Sequence, residues 1–568
     1  MTEFKNRISD ILAEKIKEDF SAELTPCEVC EMLEYPPDST MGDVALPCFK
    51  LSRALRMGPP VIAEKLSHAD FGDICTVECA GGYLNFKVSS DWLCSNVLLK
   101  IEEQGDMYGS SKEGEGKTVC LDYASPNVAK PFHIGHLGTT VIGHSLRNLH
   151  EFAGYKCISI NHLGDWGTQF GKMIVAFRNW GDEKEVEERG IDALVELYVK
   201  FHAEAEKDES LDQQARDEFK KLEEFNEDNI RLWKWFIEIS LKEYEKTFGQ
   251  LGITFDSYAG ESFYVDKVPE QVEVLREKGL LKLDDGASIV DLSEYNMPPC
   301  LILKKDGSTI YHSRDIAAAV YRKRTYDFDK CIYVTSNGQS LHFAQWFKVI
   351  ELMGYDWYNE LVHVPYGTVS IGGEKLATRT GNVVLLKDLF AQAIDKVSSL
   401  VDEKNPDLKN RDEVAEAVGV GAVVFHYLYN ARIKDINFIM DDALSFEGNT
   451  GPYAQYTYAR TCSILEKAGD MDESAPLTVE TGDEAELLKV LSKFPEKTKA
   501  ALDDYESSVI TRYIIELASS FNKFYHNCPI ISAEDAGVRN TRLRLTKATG
   551  VVLKRALSLI CMRAPEKI

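Results

Sequence analysis

No run of about 18 consecutive apolar residues occurs in this 568-residue chain, so nothing in it reads as a membrane-spanning helix, and no membrane partner is expected. A secretory leader is not expected either. Met1-Thr2-Glu3-Phe4-Lys5-Asn6-Arg7 leads into an amphipathic helical pattern over 8–20, so the expected location is cytoplasmic. Internal repeats and low-complexity tracts are missing, which excludes solenoids and long disordered linkers. Positive charge is in short supply, with 65 Lys and Arg against 91 Asp and Glu and a net charge of −26. That balance argues against indiscriminate nucleic-acid binding but does not say where the charges lie. The 13 cysteines are scattered through apolar surroundings, as reduced thiols are, and build no disulfide framework. Cys27-x-x-Cys30 and Cys75-x-x-x-Cys79 have a loose zinc-ligand spacing, but neither pair sits in a glycine-rich knuckle, and no structural metal is expected.

What remains is ordinary globular composition, 44% hydrophobic and 27% charged, in a chain long enough for roughly three or four domains. Residues 1–112 mix helical pattern with short strands such as 82–88, and the charged loop 109–116 marks a boundary. A second unit spans 113–390. It carries a Glu/Lys-rich helical insertion at about 183–244 and a second insertion at about 265–305. Strand-like runs at 300–303 and 331–334 alternate with helices and predict a parallel sheet interrupted by insertions. Beyond about 390 the pattern is helical, through a region 391–445 and a last unit 446–568.

The most informative stretch is Ala124-Ser125-Pro126-Asn127-Val128-Ala129-Lys130-Pro131-Phe132-His133-Ile134-Gly135-His136, which follows an apolar strand at 118–123 and opens a helix. A helix start presents free N–H groups and a positive dipole end, both of which favour phosphate, and two histidines three apart lie beside it. Gly135 between them leaves room for a flat group such as a purine against the backbone. By itself the pair also fits two histidines that merely cap the helix.

Four further segments narrow the choice: Asn161-His162-Leu163-Gly164-Asp165-Trp166-Gly167, Tyr311-His312-Ser313-Arg314-Asp315, Glu374-Lys375-Leu376-Ala377-Thr378-Arg379, and Phe446-Glu447-Gly448-Asn449-Thr450-Gly451-Pro452-Tyr453-Ala454-Gln455-Tyr456. In this order and spacing the whole chain resembles the arginyl-tRNA synthetases, which are class I aminoacyl-tRNA synthetases. The resemblance implies a Rossmann-type α/β catalytic domain over 113–390, an α+β N-terminal domain that binds the tRNA elbow, a helical stem-contact region, and an all-helical anticodon-binding domain. It implies that L-arginine and ATP, the latter with Mg²⁺, give arginyl-adenylate, and that the 3′ end of tRNA(Arg) then takes the arginine. A monomer is expected.

The resemblance also assigns residues. His133 and His136 stabilise charge on the α-phosphate as it is attacked. The second class I signature loop keeps its first lysine as Lys375 and lacks the second, so Lys130 or Arg379 supplies the missing cation. His342, Gly367 and Val369, the last two on a run read as one strand over 364–369, join Gly135, His133, His136 and Lys375 on the ATP side. Asn127 and Gln339 match positions for the amino-acid end of arginine, and Glu261, Tyr311 and Asp315 those for its guanidinium. Thr335-Ser336-Asn337 departs from the family's usual Val-Gly-Ala before Gln339. His162, Asp165 and Trp166 carry a family signature but no assigned chemistry.

For tRNA, Tyr453 and Tyr456 match positions near the anticodon loop, and Tyr83 and Asn85 positions at the elbow. The stretch 537–563 holds Arg539, Arg542, Arg544, Lys547, Lys554, Arg555 and Arg563 and no acidic residue, and reads as a cationic RNA surface. Two other readings are weighed. A class I synthetase for another amino acid does not explain the carboxylate pocket, and a non-catalytic tRNA-binding relative does not explain the intact His133, Gly135, His136, Lys130 and Lys375.

Overall fold

Val119, Cys120 and Leu121 are apolar and fully buried, as a strand covered on both faces requires. Thr118–Asp122 is a central strand of a four-stranded parallel sheet whose other strands are Lys156–Ile160, Lys330–Ser336 and Leu361–Tyr366. The spatial order is Leu361–Tyr366, Lys330–Ser336, Thr118–Asp122, Lys156–Ile160. The chain leaves Thr118–Asp122 toward one edge of the sheet and later returns to its other side. Between Thr118–Asp122 and Lys330–Ser336 the direction of winding therefore reverses, which opens a crevice at the carboxyl ends of the strands. The computed structural model describes residues 1–372, 374–375 (backbone alone), 384–469 and 476–568.

The first insertion is a helical layer from Glu183 to Leu251, closed by the 25-residue helix Glu227–Leu251 and packed around Phe170, Phe201 and Phe236. The second is a three-stranded antiparallel sheet of Leu281–Asp284, Ala287–Val290 and Cys300–Leu303. Cys300–Leu303 thus lies outside the parallel sheet, contrary to the sequence reading, because a short apolar run carries no record of its partners. The run at 364–369 also divides. Leu361–Tyr366 belongs to the parallel sheet, the chain breaks at Gly367-Thr368, and Val369–Ile371 pairs in parallel with Ile436–Phe438.

The N-terminal unit packs the helix Pro59–Ser67 on an antiparallel sheet of Val44–Pro47, Tyr83–Val88 and Cys75–Ala80, with the helix Thr2–Phe20 against Pro26–Met32 and Pro59–Ser67. Helices dominate after Leu386 and end in Ala536–Leu559. No helix among the described residues is long and apolar enough to cross a membrane. The spaced cysteines do not converge: Cys30 Sγ contacts Asn6 and Cys79 Sγ contacts the Ala63 carbonyl.

Candidate active site

The turn between Thr118–Asp122 and the helix Leu137–Phe152 is strained and held at each strained residue. Ala124, Ser125 and Ala129 have φ of 71°, 43° and 58°, a region costing a non-glycine residue about 1–2 kcal/mol. Each is tied down. The Ala124 N–H donates to Thr139 Oγ1 (3.1 Å), Ser125 Oγ to Asp122 Oδ1 (3.0 Å), and the Ala129 N–H to Ser240 Oγ (3.0 Å). Thr139 Oγ1 in turn donates to the Val334 carbonyl at 2.6 Å, which joins the helix to both strands flanking the crevice. From the first insertion the Tyr244 hydroxyl stands 2.8 Å from the carbonyl oxygens of both Asn127 and Lys130.

The predicted free N–H groups at the helix start are not free. The Gly135 N–H donates to His133 Nδ1 (3.0 Å) and the His133 N–H to His136 Nδ1 (3.2 Å), a reciprocal cap built from two imidazoles. The capping reading of the pair is what the geometry shows: the histidines cap the turn, and the cap fixes their tautomer. With Nδ1 accepting, the proton of each neutral ring sits on Nε2, aimed away from the backbone. Burial lowers His133 to about 4 and His136 to about 3, so both are neutral donors at physiological pH. The Ile134 N–H donates to the Val384 carbonyl and the Leu386 N–H to the Phe132 carbonyl, so the histidine turn is stitched to the chain just after the second signature loop. The Lys375 side chain and Arg379 lie outside the described residues. Lys130 is half-buried, and burial lowers its pKa.

Asn127 stands exposed, held by backbone bonds to Gly164; a Cβ at Gly164 would come within 2.3 Å of Asn127 Oδ1. The same loop positions Glu261. Asp165 accepts hydrogen bonds from the Ser262 N–H (2.8 Å) and hydroxyl (2.6 Å), and a Cβ on Gly260 would come within 2.6 Å of that carboxylate. His162 stacks on Tyr264 and lies 3.2 Å from Arg322, whose fully buried guanidinium pairs with Asp122 at 2.8 Å. Trp166 packs edge-on against Phe219 and Trp233. The three signature residues without assigned chemistry thus shape the pocket wall.

On the helix Tyr311–Tyr326, Tyr311 and Asp315 share a face with Arg314. Glu261 is buried and forms an ion pair with Arg314 (3.0 Å), whose guanidinium also lies 5.0 Å from the Tyr311 ring centre. Burial raises the Glu261 carboxyl to about 7, with Arg314 opposing it and Asp315 and Asp165 adding to it. Burial pushes Asp315 in the same direction, but a 2.6 Å hydrogen bond with His342 Nε2 brings it below the ordinary carboxylate value. His342, expected on the nucleotide side, is therefore engaged with the carboxylate cluster. Gln339 is exposed at the carboxyl end of Lys330–Ser336. The Gly367 N–H is spent on the Arg432 carbonyl (2.8 Å), and Val369 is buried in the small sheet.

The buried histidines also make acid a denaturant. His136 and His144 are lowered to about 3 and His150 to about 4, all mainly by burial, from 6.5 in the unfolded chain. The folded state thus binds fewer protons than the unfolded one. Its stability is complete above pH 6.5 and falls as pH drops toward 4, by about 1.4 kcal/mol per histidine per pH unit. Urea midpoints measured at pH 7, 6 and 5 are expected to fall steadily, and a flat profile contradicts the burial.

The basic C-terminal stretch is only in part a surface: Lys554 and Arg563 are exposed, whereas Arg542 and Arg544 are buried. Arg542 is buried, bonds to Glu484, and donates to Glu480 (2.9 Å) and the Pro529 carbonyl (2.8 Å). Arg544 holds Glu102 (2.7 Å), and Arg555 donates to the Asp106 carbonyl (2.6 Å). Arg539 donates to the Ile531 carbonyl, and Arg563 pairs with Glu416. A count of charges along a helix cannot tell which face turns inward, and here most of these cations pin the helix to its neighbours. Arg542→Ala is accordingly expected to cost about 3–5 kcal/mol of stability by leaving Glu484 buried and unpaired, with the salt dependence of tRNA binding unchanged. Chemical denaturation and a filter-binding salt series separate the two effects.

An exposed aromatic platform stands on Gly451–Ala468 and Ser508–Asn527, which sequence reasoning found only in part. The Arg460 guanidinium lies about equally close to the exposed rings of Tyr456 (5.1 Å) and Tyr525 (5.0 Å), and Phe446 meets Tyr456 edge-on. Asn522 donates to the Tyr453 hydroxyl at 2.9 Å. In the N-terminal sheet Tyr83 is exposed against Phe49, whereas Asn85 is almost wholly covered.

The chain is similar to known proteins along its length. Residues 97–440 match the family model for class I (R) tRNA synthetase catalytic domains, residues 454–568 the DALR anticodon binding domain, and residues 3–88 the arginyl-tRNA synthetase N-terminal domain. Fold and site together define a class I aminoacyl-tRNA synthetase. The chain is 49% identical over 576 residues to the arginine–tRNA ligase of Alkaliphilus metalliredigens and 50% identical over 575 residues to that of Clostridioides difficile, with all of each chain covered. It belongs to the arginyl-tRNA synthetase family. Its fold matches the arginyl-tRNA synthetase of Thermus thermophilus (TM-score 0.82, 23% identity, 99% of each chain) and that of Plasmodium falciparum (TM-score 0.82, 25% identity, 99% and 98%).

Proposed function

We propose that the crevice at the carboxyl ends of the parallel strands binds arginine and ATP side by side, with the residues named above dividing the work. The reaction is that of an arginine–tRNA ligase: ATP-dependent formation of arginyl-adenylate and transfer of arginine to the 3′ end of tRNA(Arg). The observation that carries the assignment is the reciprocal histidine cap, which leaves two neutral Nε2–H donors at a helix start. His133 and His136 donate to the α-phosphate oxygens as negative charge builds there, while Gly135, Gly367 and Val369 border the nucleotide. Lys130 and Lys375 are assigned to the pyrophosphate, with Arg379 the competing candidate for the cation that the second signature loop lacks. Asn127 and Gln339 hold the amino-acid end of arginine. Glu261, Tyr311 and Asp315 hold its guanidinium, and His342 orients Asp315.

Mg²⁺ accompanies ATP as the counter-ion of its phosphates, whose charge it offsets. Residues 1–112 meet the tRNA elbow through Tyr83 and 391–445 contact the stem. Residues 446–568 stack anticodon bases on Tyr456, Arg460 and Tyr525. The protein acts as a cytoplasmic monomer. Arginine-dependent charging of bulk tRNA by the purified chain tests the reading. Charging with a different amino acid, or tRNA binding without charging, overturns it.

A further inference from the structure

A guanidinium of the protein's own already lies in the pocket proposed for the substrate's guanidinium. Arg314 sits between Tyr311 and Asp315 in the first turn of their helix. It is nearly buried, with Nη2 3.0 Å from Glu261 Oε2, Nη1 donating to Thr309 Oγ1 (3.2 Å), and its plane beside the Tyr311 ring. The pair is not saturated. Glu261 Oε2 and Arg314 Nε are both buried without a well-directed hydrogen bond among the described residues. The charged and titratable groups that reach Glu261 are Arg314, Asp315 and Tyr311 from that helix and Asp165 from the loop after Lys156–Ile160.

The charge count shows what such a residue does. Of the two carboxylates assigned to the substrate's guanidinium, Glu261 is already met by Arg314, and Asp315, bonded to His342, is left for one more guanidinium. Without Arg314, burial and the repulsion from Asp315 favour a protonated Glu261. A protonated carboxyl is a donor. It no longer attracts a cation and can bond the carbonyl oxygen of a neutral urea such as citrulline's. An ionised Glu261 is acceptor-only and rejects that oxygen.

We propose that Arg314 is a specificity-determining positioning residue: it favours the ionised form of Glu261 and orients it, so that the pocket prefers a charged guanidinium to its neutral isostere. This rests on the reading that Glu261, Tyr311 and Asp315 receive the arginine side chain. It adds a residue that tunes that pocket without itself being a required acceptor.

The test is tRNA-supported ATP–pyrophosphate exchange by the full chain from pH 5.5 to 9. The burial of Glu261, which raises its carboxyl to about 7, places the acid limb of kcat/KM for arginine near that pH in the unaltered protein. Arg314→Met is expected to move this limb up by a pH unit or more, to raise the arginine KM at pH 7 at least tenfold with the ATP KM unchanged, and to narrow the preference for arginine over citrulline. Arg314→Lys keeps the charge and loses the planar fork, so its limb stays with the unaltered protein while its arginine KM rises; it carries the test where the methionine variant does not fold. An unchanged limb and unchanged citrulline discrimination in Arg314→Met, or an unchanged arginine KM in Arg314→Lys where the methionine variant does not fold, overturns the proposal. Asp315→Asn separates the two levels. Loss of arginine use there, with the Arg314 variants unaffected, overturns the role of Arg314 and leaves the pocket standing. Arginine use intact in all three overturns the pocket reading and the proposal with it.

Discussion

Replacing His136 with alanine lowers the rate of adenylate formation by about 10²–10³-fold while arginine affinity changes little, because the Nε2–H donor acts on charge that develops only at the transition state. The same loss is expected for His133. The cap explains why so much rests on each ring. With Nδ1 bound to a backbone N–H, the imidazole cannot rotate away or change tautomer, so the donor is in place before the phosphate arrives. Burial keeps both rings neutral down to about pH 3 or 4, so the chemical step at saturating substrate is expected to show no histidine limb between pH 6 and 7. His136→Gln, which keeps a donor but breaks the cap, should fall between alanine and the unaltered protein. Single-turnover rates in both alanine variants equal to those of the unaltered protein would remove the phosphate role.

Asp315→Ala weakens arginine use by about 10²-fold or more with ATP binding intact, since removing one partner of a buried charge-assisted pair costs about 3–5 kcal/mol. The carboxylate is pre-formed for this role. Its bond with His342 holds it ionised despite burial, so the substrate does not have to displace a proton. A pocket of buried carboxylates rejects lysine and citrulline because each leaves acceptors unpaired, at a cost of several kcal/mol, and no editing domain is needed. Steady-state KM values for arginine and ATP, with lysine as competitor, decide the point. A variant that loses ATP affinity instead, and still discriminates against lysine, places the guanidinium elsewhere.

Particular residues show how far the sequence reached. The strand, turn and helix around His133 and His136 could be read from Thr118 to His144, since an apolar run followed by a glycine-containing turn and a helical pattern is local information. Tyr311 and Asp315 were placed on one helical face for the same reason. Arg314 stood between them and went unread, although its helical spacing from Tyr311 was visible, because nothing local says that a carboxylate 53 residues earlier lies opposite it. Tyr244 gave no signal at all; its hydroxyl meets a loop more than a hundred residues away.

The sequence by itself determined the class of architecture, the order of its parts and the strand, turn and helix around the histidines, because these are written in periodicity, turn chemistry and motif order along the chain; the residues proposed for the pocket came from the family resemblance. Only the tertiary structure decided that Cys300–Leu303 leaves the central sheet, that Arg542 and Arg544 of the basic stretch turn inward, that His342 bonds Asp315, and that a guanidinium already sits on Glu261. Each of these is a pairing between distant segments. Pairing is set by which surfaces exclude water together and which buried charges must find partners, and the linear order of residues does not record it.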